Sequence, residues 1–264
     1  MRDIRAVFID MDNTLYSHRT GRIPLSAYKA VRILREKGIK VFCATGRHVR
    51  ELEGMGIDIC LDGWITVNGA YCFTESGAYY REPLQGSDLQ VLKEELQKDP
   101  FPVIFLGEKD MYMNMYDEHV AKELASIHTA LPQILEADEL FREDIYQFIP
   151  YAPQSRFDAV QKRFGNVRCM RWTDLAVDCI SADAGKDRGV RETCRMLGID
   201  TSQTCAFGDG PNDLDLFAAA GFSVAMGNAS YIIKEMADLV TADIDEDGLF
   251  LACVRMGLIE EGSL

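Results

Sequence analysis

The sequence has no apolar stretch long enough to cross a bilayer, since Asp, Arg, Lys or Gly interrupts every hydrophobic segment of its 264 residues. It has no C-x-x-C pair among its eight cysteines, which favours buried thiols in a reducing compartment over a disulfide framework or a zinc site. The first five residues enter a strand-like run without an apolar signal region. We therefore expect no membrane partner and a cytoplasmic location.

An excess of positive charge is absent as well. Lys and Arg number 28 against 42 Asp and Glu, and the resulting net charge of −14 argues against a nucleic-acid partner. A small phosphorylated substrate is still compatible with this acidity, because a metal ion and one or two local cations can reverse the field inside a pocket.

Short apolar runs alternate with amphipathic segments at both ends of the chain. The runs at residues 5–10, 39–44 and 204–209 predict strands that are buried on both faces of a parallel sheet. A helix is predicted between the first two, with Ser26 as its cap and Gly38 at its end. This alternation predicts an α/β fold with a Rossmann-like parallel-sheet core.

The middle of the chain differs in its composition and in its pattern of apolar residues. Six of the eight prolines lie between Glu82 and Asp183, among amphipathic helical patterns and alternating stretches. We interpret this segment as an α+β domain inserted into the core. The expected division is a core domain of residues 1–81 and 184–264 and an inserted cap domain of residues 82–183. The sequence does not predict the oligomeric state.

Acidic and polar residues follow the predicted strands, at the edge where ligands of α/β sheets bind. These residues are Asp10 and Asp12, Thr45 and Arg47, and Asp209 and Asp213, to which Lys186 adds a cation. Four carboxylates at one edge would repel one another, so the pattern indicates a bound cation. All-oxygen ligation favours Mg²⁺.

The same residues fall into four motifs that resemble those of the haloacid dehalogenase-like (HAD) superfamily in order and spacing. The motifs are Asp10-Met11-Asp12-Asn13-Thr14-Leu15, Thr45-Gly46-Arg47, Lys186, and Gly208-Asp209-Gly210-Pro211-Asn212-Asp213. The insertion is similar in position and size to the type-2 (C2B-like) cap of the Cof-like phosphatases. One departure is that Asp187 follows Lys186, where the third motif often has glycine; Gly189 stands three residues after the lysine.

This resemblance implies a Mg²⁺-dependent phosphatase that hydrolyses phosphate monoesters of small metabolites, sugar phosphates or similar, through an aspartyl phosphate. Asp10 would be the nucleophile and Asp12 the general acid and base. Mg²⁺ would be held by the Asp10 carboxylate, the Asp12 backbone carbonyl and Asp209. The remaining implied roles are phosphate binding by Thr45, Gly46, Lys186 and Asn212, and support by Asp213 and Arg47.

Alternatives stay open at this point. The acid at position 12 favours phosphate-ester hydrolysis or a phosphomutase over dehalogenation, and a catalytically inactive binding module is the non-enzyme hypothesis. Arg47 could bind substrate or pair with an acid, and pairing is the preferred interpretation. The four histidines (His18, His48, His119, His128) show no metal-ligand spacing, so surface positions are predicted for them.

Overall fold

The computed structural model describes residues 3–127 and 129–260. Its strands along the chain are β1 (Ala6–Ile9), β2 (Lys40–Ala44), β3 (Gly63–Thr66), β4 (Tyr71–Thr74), β5 (Gly77–Arg81), β6 (Val103–Leu106), β7 (Met111–Met113), β8 (Gln133–Ile134), β9 (Gln147–Pro150), β10 (Val167–Arg171), β11 (Val177–Ser181), β12 (Thr204–Gly208), β13 (Ser223–Ala225) and β14 (Leu239–Val240).

The helices are α1 (Leu25–Glu36), α2 (Val49–Gly54), α3 (Gly86–Lys98), α4 (Glu118–Ser126), α5 (Ala137–Leu140), α6 (Gln154–Gln161), α7 (Lys186–Leu197), α8 (Leu214–Ala219), α9 (Tyr231–Met236) and α10 (Gly248–Arg255). Short 3₁₀ turns cover Val67–Gly69, Thr201–Gln203, Pro211–Asp213 and Ile244–Glu246.

The first compact unit is built on an eight-stranded sheet and comprises residues 3–45, 58–80 and 185–260. Its strand order is β14-β13-β12-β1-β2-β3-β4-β5; the strands from β14 to β3 pair in parallel, and β4 is antiparallel to β3. Phe8, Phe42 and Ile65 of the sheet pack with Val190 of α7 and Leu216 of α8 in one buried cluster. The predicted α/β core with a parallel sheet is therefore confirmed.

The predicted start of the first helix is wrong by two residues. Helix α1 begins at Leu25, and Pro24 precedes it with φ −58°, so that the proline ring sets the entry angle without any side-chain cap. Ser26 is buried inside the first turn. The predicted end is confirmed, because Gly38 follows the helix with φ +80°, a conformation that favours glycine.

The second compact unit is an α+β arrangement formed by the described parts of residues 46–57 and 81–184. Its six strands follow the order β10-β11-β9-β6-β7-β8, with antiparallel pairs except between β7 and β8. Leu92 of α3 and Phe157 of α6 pack against Phe105 and Phe148 of this sheet.

By their internal contacts, the two units divide between residues 80 and 81 and between residues 184 and 185. Residues 46–57 also belong to the second unit. The contacts of α2 give the reason. The ring Nε2 of His48 lies 3.1 Å from the Gly107 carbonyl, and Thr129 donates to Glu51 at 2.8 Å. The predicted domain boundaries at 82 and 183 stay a prediction.

Six of the eight cysteines are buried, which confirms the buried thiols predicted from the sequence; Cys169 is half-buried and Cys60 is exposed. Within the described residues, the helices are all too short or too polar to span a membrane.

Candidate active site

Asp10 directly follows β1, the strand that lies between β2 and β12 in the sheet. Its backbone N–H donates to the Phe207 carbonyl at 2.9 Å, and the residue is 4% exposed. Because β1, β2 and β12 run in parallel, their carboxyl ends meet at one edge, where Asp10, Thr45 and Asp209 follow them. This edge of the first unit carries the candidate site.

Lys186 supplies the cation at this edge. Its Nζ lies 2.6 Å from Asp10 Oδ1 and 2.7 Å from Asp213 Oδ1, and its side chain is 2% exposed. Burial acts to lower the pKa of Lys186, but the attraction of Asp10 and Asp213 outweighs it and raises the pKa above the ordinary value. The ammonium group is therefore charged throughout the physiological pH range.

Asp213 uses both carboxylate oxygens inside the protein. Oδ1 accepts from Lys186, while Oδ2 accepts the backbone N–H groups of Asp209 and Gly210, both at 3.0 Å. A Cβ on Gly208 would lie 2.6 Å from the Asp213 carboxyl group, so glycine is needed for this close approach. Asp213 therefore orients both Lys186 and the turn that carries Asp209.

Asp209 is held by two residues to which sequence reasoning assigned no role. Thr14 donates its hydroxyl to Asp209 Oδ1 at 3.2 Å, and Asn228 Nδ2 lies 3.5 Å from Oδ2. Asn228 also donates to the Asn13 carbonyl at 2.8 Å, which ties the loop after β1 to the loop after β13. Because Thr14 lies inside the first motif, its position in the sequence could have identified it as a residue of the site.

Asp10, Asp209 and Asp213 form a cluster that could hold a metal ion, since one oxygen of each lies within 4.8 Å of the others. Burial, followed by repulsion from Asp213, raises the pKa of Asp10 well above its ordinary range despite the opposing effect of Lys186. The same two causes raise the pKa of Asp209 to about 6. Burial and repulsion both disfavour the ionised forms of these carboxyl groups, and a bound cation would oppose both effects.

The side chain of Asp12 points to a different partner. Its Oδ1 lies 2.7 Å from Nε2 of His18, and the Asp12 side chain is 34% exposed. Thr45 is fully buried at the end of β2, where its N–H donates to the Ile65 carbonyl at 2.8 Å.

The other predicted site residues are distributed over both units. Asn212 is exposed in the 3₁₀ turn beside Asp213. Gly46 and Arg47 belong to the second unit, where the Arg47 guanidinium donates to the Ile127 carbonyl at 3.3 Å and lies 3.8 Å from Glu51. Of the two interpretations of Arg47, the ion pair with Glu51 is the one in which the arginine pairs with an acid.

The packing of α7 explains the glycine that follows Lys186 by three residues. A Cβ on Gly189 would lie 2.4 Å from Ile65 Cγ2, so only glycine lets α7 approach β3 at this distance. Asp187 is turned toward Arg191, at 3.9 Å, and is 37% exposed. Asp187, the residue that departs from the third motif, therefore does not draw the ammonium group of Lys186 away from Asp10.

The prediction of surface histidines is wrong for His48, which is 2% exposed. Its ring accepts the N–H of Arg50 as the cap of α2, and burial lowers its pKa to about 4. His119 is exposed as predicted, the His18 side chain is 30% exposed, and His128 lies outside the described residues. An N-capping histidine has no signature that separates it from a surface histidine in the sequence.

The chain matches the family of haloacid dehalogenase-like hydrolases over residues 7–252. It is 32% identical to the Bacillus subtilis (strain 168) protein YkrA over 261 residues, which are 98% of this chain and 100% of that protein. The structure of the HAD subclass IIB sugar phosphatase BT4131 superposes with a TM-score of 0.85 at 32% identity, covering 97% of this chain and 100% of the other. The HAD phosphatase BT1666 from Bacteroides thetaiotaomicron gives a TM-score of 0.88 at 28% identity, covering 98% and 97%.

Proposed function

Because the chain belongs to the haloacid dehalogenase-like hydrolases and is a phosphoric monoester hydrolase, we propose that it hydrolyses small phosphorylated metabolites with Mg²⁺ through an aspartyl phosphate on Asp10. The observation that carries this proposal is the buried contact of 2.6 Å between Lys186 Nζ and Asp10 Oδ1, inside a cluster of carboxylates. A cation beside the nucleophile allows a carboxylate to approach a phosphate dianion.

The donor set fits Mg²⁺. All the candidate ligands are oxygen atoms, and burial together with repulsion from Asp213 raises the pKa values of Asp10 and Asp209, an effect that a bound cation would oppose. We assign the ion to the Asp10 carboxylate, the Asp12 backbone carbonyl and Asp209, with Asp213 as support because both of its oxygens are already engaged. When bound, Mg²⁺ supplies charge neutralisation for the phosphoryl group.

The proposed reaction has two displacements. In the first, a carboxylate oxygen of Asp10 bonds to phosphorus while the bond from phosphorus to the ester oxygen breaks, and Asp12 gives a proton to the leaving alcohol. In the second, water attacks phosphorus, Asp12 takes a proton from it, and the Asp10 carboxylate is released with inorganic phosphate. Lys186 and Thr45 would stabilise the phosphoryl oxygens in both steps, and we assign phosphate contacts to Gly46 and Asn212 as well.

The substrate class is proposed from the relatives and from the insertion. BT4131 is a sugar phosphatase that shares 32% of its residues with this chain along its whole length. The second unit adds more than a hundred residues to the core, and we propose that residues of this insertion select among small esters. Eight free cysteines support a reducing compartment, so we propose a cytoplasmic site of action.

The test is phosphate release from an aryl phosphate and a panel of metabolite esters, with and without Mg²⁺, for the wild type and Asp10→Asn. We expect Mg²⁺-dependent release that the variant loses. Asp58→Asn is the matched control, because Asp58 is an exposed aspartate of the same unit. Formation of an isomeric ester without free phosphate would point to a phosphomutase, and full activity of Asp10→Asn would contradict the proposed nucleophile.

A further inference from the structure

His18 lies against the residue to which we assign general acid and base chemistry. Its Nε2 is 2.7 Å from Asp12 Oδ1, and both side chains are about one-third exposed, at 30% and 34%. We propose that His18 is a positioning residue that orients the Asp12 carboxylate for proton transfer to and from the ester oxygen. This inference rests on the proposed function and adds a residue to it.

The loop after β1 holds His18 in place through its backbone. Asn13 N–H donates to the Tyr16 carbonyl and Tyr16 N–H to the Met11 carbonyl, both at 2.8 Å. The His18 N–H reaches Asn13 Oδ1 at 3.4 Å. The Tyr16 ring meets the His18 ring edge to face, with 5.6 Å between centroids. The loop therefore folds back so that residue 18 returns to residue 12.

A second anchor comes from the far end of the chain. Ser17 donates its hydroxyl to Asp245 Oδ2 at 3.0 Å, and Arg19 Nε lies 2.6 Å from the same oxygen. These contacts lie on either side of His18, and Asp245 is itself fixed in the 3₁₀ turn that follows β14. The residues flanking His18 are thus tied to a separate part of the core, which limits the movement of the imidazole.

The geometry assigns the donor. A carboxylate oxygen only accepts hydrogen bonds, so while Asp12 is ionised His18 Nε2 must carry the hydrogen. Holding one oxygen of Asp12 fixes the rotation of the carboxylate about its Cβ–Cγ bond. A general acid contributes only when it lies within hydrogen-bond reach of the oxygen that it protonates. The rotation of the carboxyl group therefore determines the fraction of bound substrate to which Asp12 can transfer its proton.

The consequence depends on the leaving group. An alkyl alcohol leaves poorly as an alkoxide and needs the proton of Asp12, whereas p-nitrophenolate leaves without one. The specificity constant kcat/KM reports the reaction up to release of the alcohol. Loss of the His18 contact should therefore lower kcat/KM for an alkyl phosphate and spare kcat/KM for p-nitrophenyl phosphate.

The experiment compares His18→Ala, His18→Gln and His18→Asn with Mg²⁺, on p-nitrophenyl phosphate and on the best sugar phosphate of the panel. We expect His18→Ala to lower kcat/KM for the sugar phosphate about tenfold relative to the aryl ester. Glutamine places its Nε2 near the position of the imidazole Nε2 and should restore much of the ratio, while the shorter asparagine should not. His119→Ala, on an exposed histidine of the other unit, should leave both constants unchanged.

Equal losses on both esters, no loss on either, or equal rescue by asparagine and glutamine would overturn the role of His18. In an Asp12→Ala background, His18→Ala should cause no further change in the ratio; an additional tenfold loss would mean that His18 acts on something other than Asp12. If wild type hydrolyses both esters and Asp10→Asn hydrolyses neither, a constant ratio contradicts this inference alone. Absence of turnover by wild type would contradict the proposed function and this inference together.

Discussion

Replacing Lys186 with methionine tests the electrostatics of the site directly. Methionine has a similar length and no charge, so the substitution removes the ammonium group with little change of volume. Lys186 is 2% exposed, and Asp10 and Asp213 would lose the cation that lies 2.6 Å and 2.7 Å from them. Two buried carboxylates would then share the site without a compensating charge.

The size of the effect follows from burial. Breaking a buried ion pair by removing one partner costs about 3–5 kcal/mol. Asp213 keeps two backbone N–H donors on Oδ2, so we expect the lower part of that range, about 3–4 kcal/mol, in the absence of metal. Saturating Mg²⁺ should recover part of the loss, because the ion supplies positive charge at the same carboxylates.

The assay is urea unfolding followed by tryptophan fluorescence in EDTA and in Mg²⁺. A Trp172→Phe background leaves Trp64 as the single tryptophan, and Trp64 lies in β3 of the first unit. Lys40→Met is the matched control, since Lys40 is 50% exposed and 3.0 Å from Asp62, so its loss should cost less than about 1 kcal/mol. If Lys186→Met were no more destabilising than Lys40→Met, the assignment of a charged, compensating lysine would be refuted.

The remaining predictions concern the carboxylate cluster and the packing of α7. Because the pKa of Asp209 is raised to about 6, Mg²⁺ must displace its proton below that pH, and the raised pKa of Asp10 adds to this effect. The Kd for Mg²⁺ measured by calorimetry should rise at least about tenfold for each unit that the pH falls below 6; a constant Kd would contradict this. For the same reason, the metal-free protein should lose stability as the pH rises through about 6, since its folded state binds that proton more tightly than the unfolded chain. Gly189→Ala should destabilise the first unit by about 1–3 kcal/mol because its Cβ would lie 2.4 Å from Ile65, whereas Gly86→Ala, with open space around it, should be neutral or stabilising; thermal unfolding distinguishes the two.

The core of the fold could be predicted because its determinants are local. Each strand of the parallel sheet is a short apolar run, and the polar residue after it needs no long-range information to be recognised. The rule that parallel strands end at one edge then brings Asp10 and Asp209 together although they lie at opposite ends of the chain. Lys186 was recognised as a cation near these residues, but its role in phosphate binding came only from the motif; its contact with Asp10 spans 176 positions.

The contacts of the second motif could not be predicted in this way. Arg47 reaches the Ile127 carbonyl, 80 positions along the chain, and His48 reaches Gly107. Both partners lie in the inserted segment, whose mixed pattern does not fix a register for its strands. Residues 46–57 consequently join the second unit, although a boundary drawn from composition leaves them in the core.

The charge balance of the site links the stability of the fold to its chemistry. Lys186 and two backbone N–H groups satisfy Asp213, and Lys186 is shared with Asp10. One ammonium group therefore serves a cluster of two buried carboxylates, Asp10 and Asp213, and the half-buried Asp209. Burial and, after it, repulsion from Asp213 raise the pKa values of Asp10 and Asp209. A fully compensated cluster would be more stable in the absence of metal, but it would have less affinity for a cation. We infer that a bound cation completes the balance of charge at Asp10 and Asp209 in the working enzyme.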